Sequence, residues 1–315
     1  MPLPWRSKLL SLLPRVGLES RPLGPGAALV YRQGRGLSVE ELDDRTWVVQ
    51  RRRGRRRKVR RIGPPELRTH LVVDERAARK ALPNQQMKLA HYLSAEHIAW
   101  ILRELRINCV LDVGGNRGQF GRRLRTAGYA GRIVSFEPLP HLAERLHDHA
   151  DKDPDWHVVH CALGDEETDA EMNVVAAGGA TSSLLPASDF GKLWSPRIEG
   201  VGQQVVPVRR LDSLLDETVA GIDDPRIFLK MDTQGYDLRV FAGAGDRIKD
   251  VLGLQSELSN VRLYDGMPRL PEAISTYEAA GFETTGIFPV TRDNDRLRII
   301  EFDIIMIRVD ALGER

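Results

Sequence analysis

Two cysteines in 315 residues exclude a disulfide framework. No apolar run approaches the ~20 residues that a membrane-spanning helix requires. Aromatic residues make up only 6% of the chain, and the net charge is only +2, so no overall charge of one sign commits it to a polyanionic partner. Cys109 and Cys161 both fall in apolar runs that read as buried strands, where cysteine serves as a small hydrophobe. Near the start, Trp5 to Leu13 carries several leucines, but the stretch is short, Pro14 follows, and no small-residue cleavage site is evident. It reads as a short terminal helix with at most weak peripheral contact to a membrane. The expected compartment is cytoplasmic.

What is present is uneven. Residues 51–61 (RRRGRRRKVRR) hold nine basic residues, and without them 37 basic residues face 44 acidic ones, a net of −7. Apolar residues on either side predict a solvated β-hairpin turning near Gly54, and no aromatic interleaving or module signature marks a dedicated nucleic-acid binder. Residues 1–90 form a basic N-terminal appendage of weak periodicity. From Ser94, a candidate helix cap, the pattern sharpens: Ile98, Ile101, Leu102 and Leu105 follow helical spacing. Strand and helix signals then alternate through Cys109–Leu111, Arg132–Phe136, Trp156–Leu163, Arg226–Met231 and Val251–Leu254. Such alternation of continuously apolar strands predicts an α/β domain over residues 91–315 with a parallel, Rossmann-like sheet covered on both faces. Phe282–Val290 and Arg298–Val309, joined only by a turn, predict an antiparallel edge. Between Asp165 and Leu211 the alternation breaks. Glu171–Val175 and Gln204–Val208 look like extra strands around a long loop, a candidate lid or acceptor-binding segment.

Ligands of open α/β sheets bind at the carboxyl ends of the strands. The first strand ends in DVGGNRG, residues 112–118. Gly114, Asn116 and Gly118 are expected to turn the backbone sharply beside a ligand. An acid, Asp112, at that tip suits the cationic methionine end of S-adenosylmethionine and disfavours a pyrophosphate. The glycine spacing also departs from G-x-G-x-x-G. Glu137, ending the second strand, is expected to accept hydrogen bonds from ribose hydroxyls, and Ala162 and Leu163 are expected to line the adenine. Asp232 and Glu257, ending the fourth and fifth strands, are candidate catalytic acids, with Asp232 the first choice for a general base. Oxygen ligands from these two tips also leave open a hard cation such as Mg2+, the other reading being that they only hydrogen-bond acceptor hydroxyls. Thr181, Ser182, Ser183 and Gln234 are candidate acceptor contacts. The five histidines between His141 and His160 read as mainly structural.

In order and spacing, DVGGNRGQF, SFEP, CALGD and FLKMDTQGYD resemble the FkbM family of methyltransferases over roughly residues 108–309. Gly115 stands where that family usually has Ala, and Asp237 where it has Glu. The resemblance implies a class I methyltransferase sheet of seven strands with an antiparallel edge strand, S-adenosylmethionine as cofactor, and methyl transfer to a hydroxyl of a sugar, in a glycan or glycolipid, or of a secondary metabolite. Two other readings stay open at this point: a nucleotide-cofactor oxidoreductase on a similar sheet, and an RNA-binding protein or RNA methyltransferase that uses the arginine run. A nucleic-acid partner is not expected, and the oligomeric state is unspecified.

Overall fold

A computed structural model describes residues 18–24, 27–32, 37–43, 46–51, 57–62, 69–175 and 181–312. The expected Trp5–Leu13 helix and the centre of the arginine run, residues 52–56, lie outside these. The chain divides into two compact units, residues 1–85 and 86–315.

The first unit contains three antiparallel hairpins. Strand β1 (Leu18–Gly24) pairs with β2 (Ala27–Arg32), β3 (Leu37–Asp43) with β4 (Thr46–Arg51), and β5 (Arg57–Ile62) with β6 (Thr69–Asp74). The arginine run is therefore not one hairpin turning near Gly54. It joins two: Val49 pairs back to Val39, and Val59 pairs forward to Val72. Pairing β4 with β5 would set arginines directly opposite arginines, which opposes strand association, whereas the observed register puts β-branched residues opposite each other.

Helix α1 (Glu75–Glu104) runs across the division between the units. It begins well before Ser94, which lies within the helix, buried, with its hydroxyl 3.5 Å from Asp303 Oδ2. Tyr92 and Leu93 are exposed, so the residues just before Ser94 show no core-facing apolar pattern that would extend the helix in sequence.

The second unit is built on the expected seven-stranded sheet. Its strands are β7 (Cys109–Val113), β8 (Arg132–Phe136), β9 (Trp156–Val159), β13 (Ile227–Met231), β14 (Val251–Ser259), β15 (Phe282–Asp293) and β16 (Arg298–Arg308), in the order β15-β16-β14-β13-β7-β8-β9. Six strands share one direction, and only β16, between β14 and the edge strand β15, is antiparallel to its neighbours. All five residues of β7 and of β13 are buried, as central strands covered on both faces must be. Alternate residues feed two cores. Leu111, Val113, Leu229, Met231, Leu254 and Ile304 pack on one face. On the other, Val110, Ile133, Phe228 and Ile305 pack against Ile98, Ile101, Leu102 and Leu105 of α1 and Phe120 and Leu124 of α2 (Gln119–Thr126).

The run Trp156–Leu163 is two strands rather than one. The chain leaves the large sheet after Val159, and β10 (Ala162–Gly164) joins a second sheet in the order β10-β12-β11, with β11 spanning Thr168–Val174 and β12 Gly202–Arg210. The extra strands expected in this region thus pair with each other. The segment between them carries a short helix, α4 (Asp189–Trp194), after α3 (Pro140–Ala150), and it packs Ile198, Phe190 and Trp194 against Leu263, Tyr264 and Met267. Helices α5 (Leu211–Thr218), α6 (Asp237–Gly243) and α7 (Leu270–Ala279) complete the unit. Among the described residues no helix is long and apolar enough to cross a membrane.

Candidate active site

A cleft of about 170 Å3 opens at the carboxyl ends of β7, β8, β13 and β14, where side chains are freed from the sheet's packing. Gly114, Asn116, Glu137, Ala162, Leu163, Ser182, Asp232, Gln234 and Glu257 line it, nine of the thirteen residues expected at a site. Asp112, Gly118, Thr181 and Ser183 do not.

The first turn is shaped by close approach. Gly114 has φ +78°, and a Cβ there would stand 2.2 Å from the carbonyl oxygen of Asp232. Only glycine lets the turn after β7 sit against the tip of β13. Asn116 follows at φ 50°, and its N–H donates to Glu137 Oε2 at 2.8 Å, while Leu139 N–H donates to Oε1 at 3.0 Å. These bonds aim the Glu137 carboxylate along the cleft wall formed by Phe136, Leu139, Ala162 and Leu163. Burial pushes its pKa up to about 7, against the opposing pull of the two N–H donors. Gly118 caps α2 behind the turn, where its φ of +72° and the nearby Trp156, His149 and Leu146 side chains leave room for little else.

Asp112 is placed differently from the expectation. The sheet register sets Ser135, Asp112, Lys230 and Gln255 side by side across β8, β7, β13 and β14, so their side chains share one face. That face is covered, and Asp112 is 0% exposed. Lys230 Nζ pairs with Asp112 Oδ1 at 2.9 Å and donates to the carbonyls of Val113 at 3.2 Å and Gly114 at 3.1 Å. Ser135 Oγ donates to Asp112 Oδ2 at 3.0 Å and accepts from Trp156 Nε1 at 3.1 Å. Asp112 therefore holds Lys230 beneath the turn rather than reaching the cleft. Burial by itself would depress the Lys230 pKa, but Asp112 and Asp232 raise it, so the ammonium is charged. In sequence, Lys230 reads as a structural residue facing away from Met231. A lysine inside an otherwise apolar strand is the signal that marks it.

The two candidate catalytic acids face one cleft. Asp232 lies at the mouth with its side chain 41% exposed and Oδ2 3.6 Å from Lys230 Nζ. Gln234 Nε2 donates to Asp232 Oδ1 at 3.2 Å and to Glu257 Oε2 at 2.8 Å, bridging the pair. Gln234 adopts φ 55°, a conformation costly for a residue with a side chain. It is held there by Ser183 Oγ, which donates to its carbonyl at 2.8 Å, and by the Tyr264 hydroxyl, 3.1 Å from its Oε1. Burial, then the neighbouring Asp232, Glu301 and Asp303, push the Glu257 pKa well up. Asp237 braces the pair from below: Thr233 N–H donates to its Oδ1 at 3.0 Å, and Ser256 Oγ and Glu257 N–H donate to Oδ2 at 2.6 and 3.1 Å.

The acceptor candidates on the 181–183 segment separate. Ser182 lines the cleft, although its hydroxyl accepts from Val175 N–H at 3.1 Å. Ser183 is spent on Gln234 and on Leu185 N–H, and Thr181 offers its carbonyl to Tyr264 at 2.8 Å. Both belong to the scaffold that fixes Gln234. Among the described residues no group of three or more His, Cys, Asp or Glu side chains is arranged to hold a metal ion. Between Asp232 and Glu257, where the sequence leaves Mg2+ open, stands the Gln234 amide.

Residues 112–284, more than half of the chain, match the methyltransferase FkbM domain family. No curated protein matches. Among solved structures, fibrillarin from Aeropyrum pernix, with natively bound S-adenosylmethionine, aligns at TM-score 0.36 and 13% identity over 64% of this chain and 66% of its own, just under two thirds of its length. Magnesium protoporphyrin IX methyltransferase from Synechocystis aligns at TM-score 0.38 and 9% identity over 71% and 82% of the two chains. Precorrin-6y C5,15-methyltransferase from Geobacter metallireducens aligns at TM-score 0.35 and 11% identity over 67% and 88%.

Proposed function

The chain belongs to the FkbM methyltransferase family, an S-adenosylmethionine-dependent class, and on that premise we propose that it methylates a hydroxyl oxygen of a sugar or of a similarly hydroxylated metabolite. The observation that carries the choice of oxygen is the Asp232–Gln234–Glu257 arrangement at the cleft floor. A hydroxyl is a weak nucleophile at neutral pH, so it needs an acceptor for its proton as the new bond forms; a positioned base contributes roughly 10²–10⁴-fold.

The lining residues suit the cofactor. Glu137 presents a carboxylate edge to ribose hydroxyls, Phe136, Leu139, Ala162 and Leu163 form an apolar wall for a purine, and the turn at Gly114 brings backbone close to the ligand. When bound, S-adenosylmethionine supplies an electrophilic methyl group. The chain's own part is to place the hydroxyl and take its proton. Asp232, exposed at the mouth beside charged Lys230, is the base. Glu257, whose raised pKa favours the protonated form, donates a hydrogen bond to the acceptor, and the Gln234 amide locks both carboxyls in place. Positioning of this kind contributes roughly 7–11 kcal/mol to reactions between two bound groups.

The test is product analysis. The full chain is incubated with methyl-labelled S-adenosylmethionine and a panel of neutral glycosides, matched amino sugars and free amines. The expected product is a methyl ether that survives base. Label found only on nitrogen or in a base-labile ester would overturn the hydroxyl assignment.

A further inference from the structure

A second cleft, of about 360 Å3, lies on the α1 side of the sheet, wholly within the second unit. Its walls are Ile98 of α1 and Phe120 and Leu124 of α2, and its floor is Gln255 and Asp303. The polar row Ser135–Asp112–Lys230–Gln255 ends there. Ser135 and Lys230 have their hydrogen-bond partners, and Asp112 has Ser135 Oγ at Oδ2 and, at Oδ1, the Lys230 ammonium as an ion pair though no hydrogen-bond donor. Gln255 Oε1 has neither: Gln255 is 6% exposed, the Asp303 carboxylate lies beside it, and among the described residues its Oε1 meets no donor. A buried amide oxygen left without a donor costs about 1–3 kcal/mol, and this one lies in a cleft large enough for a ring-sized group.

We propose that this cleft binds an uncharged, hydroxyl-bearing group of the acceptor, adjoining the group that is methylated, with Gln255 Oε1 accepting a hydrogen bond from it. The proposal rests on the hydroxyl-acceptor reading above and extends it to the acceptor's second part. Three observations select the ligand class. The unpartnered atom is an acceptor, so the ligand brings an O–H or N–H. The charged lining residues balance, Lys88 and Arg123 against Glu96 and Asp303, which disfavours a ligand of either charge. Most of the exposed lining is apolar, with Tyr92 standing 57% exposed at the rim, the pairing of apolar face and few polar groups that suits a sugar ring. Two links join the cleft to the transfer site. Gln255 and Glu257 are alternate residues on one face of β14, about 7 Å apart by strand geometry. Asp303 is the cross-strand partner of Glu257. An acceptor of two linked rings spans that distance.

The experiment uses the full chain saturated with S-adenosylhomocysteine and two probes of equal apolar length, hexyl β-D-glucoside and hexyl sulfate, followed by saturation-transfer NMR and titration. Two variants are compared: Gln255→Leu removes the acceptor atom, and Ala95→Trp fills the cleft from α1 while leaving the polar row intact. The expected result is glucoside binding weakened at least about tenfold in both variants, S-adenosylhomocysteine affinity unchanged, and no displacement by hexyl sulfate. The proposal is overturned if the glucoside fails to bind the loaded wild-type protein, binds the wild type and both variants equally, or is displaced equally by the sulfate. Loss of the hydroxyl-acceptor reading would show separately, as label on nitrogen in the product analysis.

Discussion

The pair Lys230–Asp112 offers the sharpest test of how the site is held. In Lys230→Met the chain keeps a flexible side chain of similar length but loses the charge. Lys230 and Asp112 are 4% and 0% exposed, so the stranded carboxylate gains little from solvent. Its remaining donor is Ser135 Oγ, and the Gly114 carbonyl loses its ammonium donor at 3.1 Å. Removing one partner of a buried ion pair costs about 3–5 kcal/mol, whereas replacing both partners is close to neutral. The single variant is therefore expected to lose about 4 kcal/mol and the double variant Asp112→Asn/Lys230→Met to recover at least about 2 kcal/mol of it, because a side-chain amide in place of the carboxylate keeps an acceptor for Ser135 without a charge. Urea unfolding of the wild type, both single variants and the double variant, with the slope checked for constancy, reads these differences. A loss below about 1 kcal/mol in Lys230→Met, or a double variant no more stable than that single one, would refute the buried-pair account.

Asp232→Asn is expected to lower kcat by about 100-fold or more while the S-adenosylhomocysteine dissociation constant stays within about twofold; turnover near wild type would remove Asp232 as the base. Cofactor affinity should depend on pH through Glu137. Its pKa of about 7 in the free protein means that the carboxyl is largely protonated at pH 6 and ionised at pH 8. Ribose hydroxyls favour the ionised form, so binding strengthens as pH rises through that range, by about tenfold for a single group. Calorimetry at the two pH values checks this, and Glu137→Gln should bind more weakly with a flat profile. Gly114→Ala should destabilise the fold by more than about 2 kcal/mol and weaken cofactor binding, because its Cβ has no space beside the Asp232 carbonyl and φ is positive. Thermal unfolding near that of the wild type would contradict the close approach.

Much of this protein is legible in its sequence. The spacing of apolar strands announces the parallel sheet, and the turn between Phe282–Val290 and Arg298–Val309 announces its antiparallel edge, because these patterns are local and periodic. The tips of those strands point to Glu137, Asp232 and Glu257, since a polar residue ending an apolar strand has few places to go except the sheet's carboxyl edge. What the pattern leaves undecided depends on side chains far apart in sequence. Asp112 and Lys230 lie on different strands, and only the β7–β13 register makes them neighbours and turns Asp112 from a ligand contact into a buried anchor. Ser183 looks like a free hydroxyl until Gln234 arrives above it. A hairpin at Gly54 is the wrong reading of the first unit because cross-strand pairing is a non-local choice, made by Val39 and Val72 and opposed by the charge of the run itself. Periodicity thus determined the central strands of the large sheet and which of their ends carry chemistry, because those follow from each residue's own burial preference. Partnerships among the buried polar groups were decided only when the tertiary fold brought distant donors and acceptors within hydrogen-bond reach.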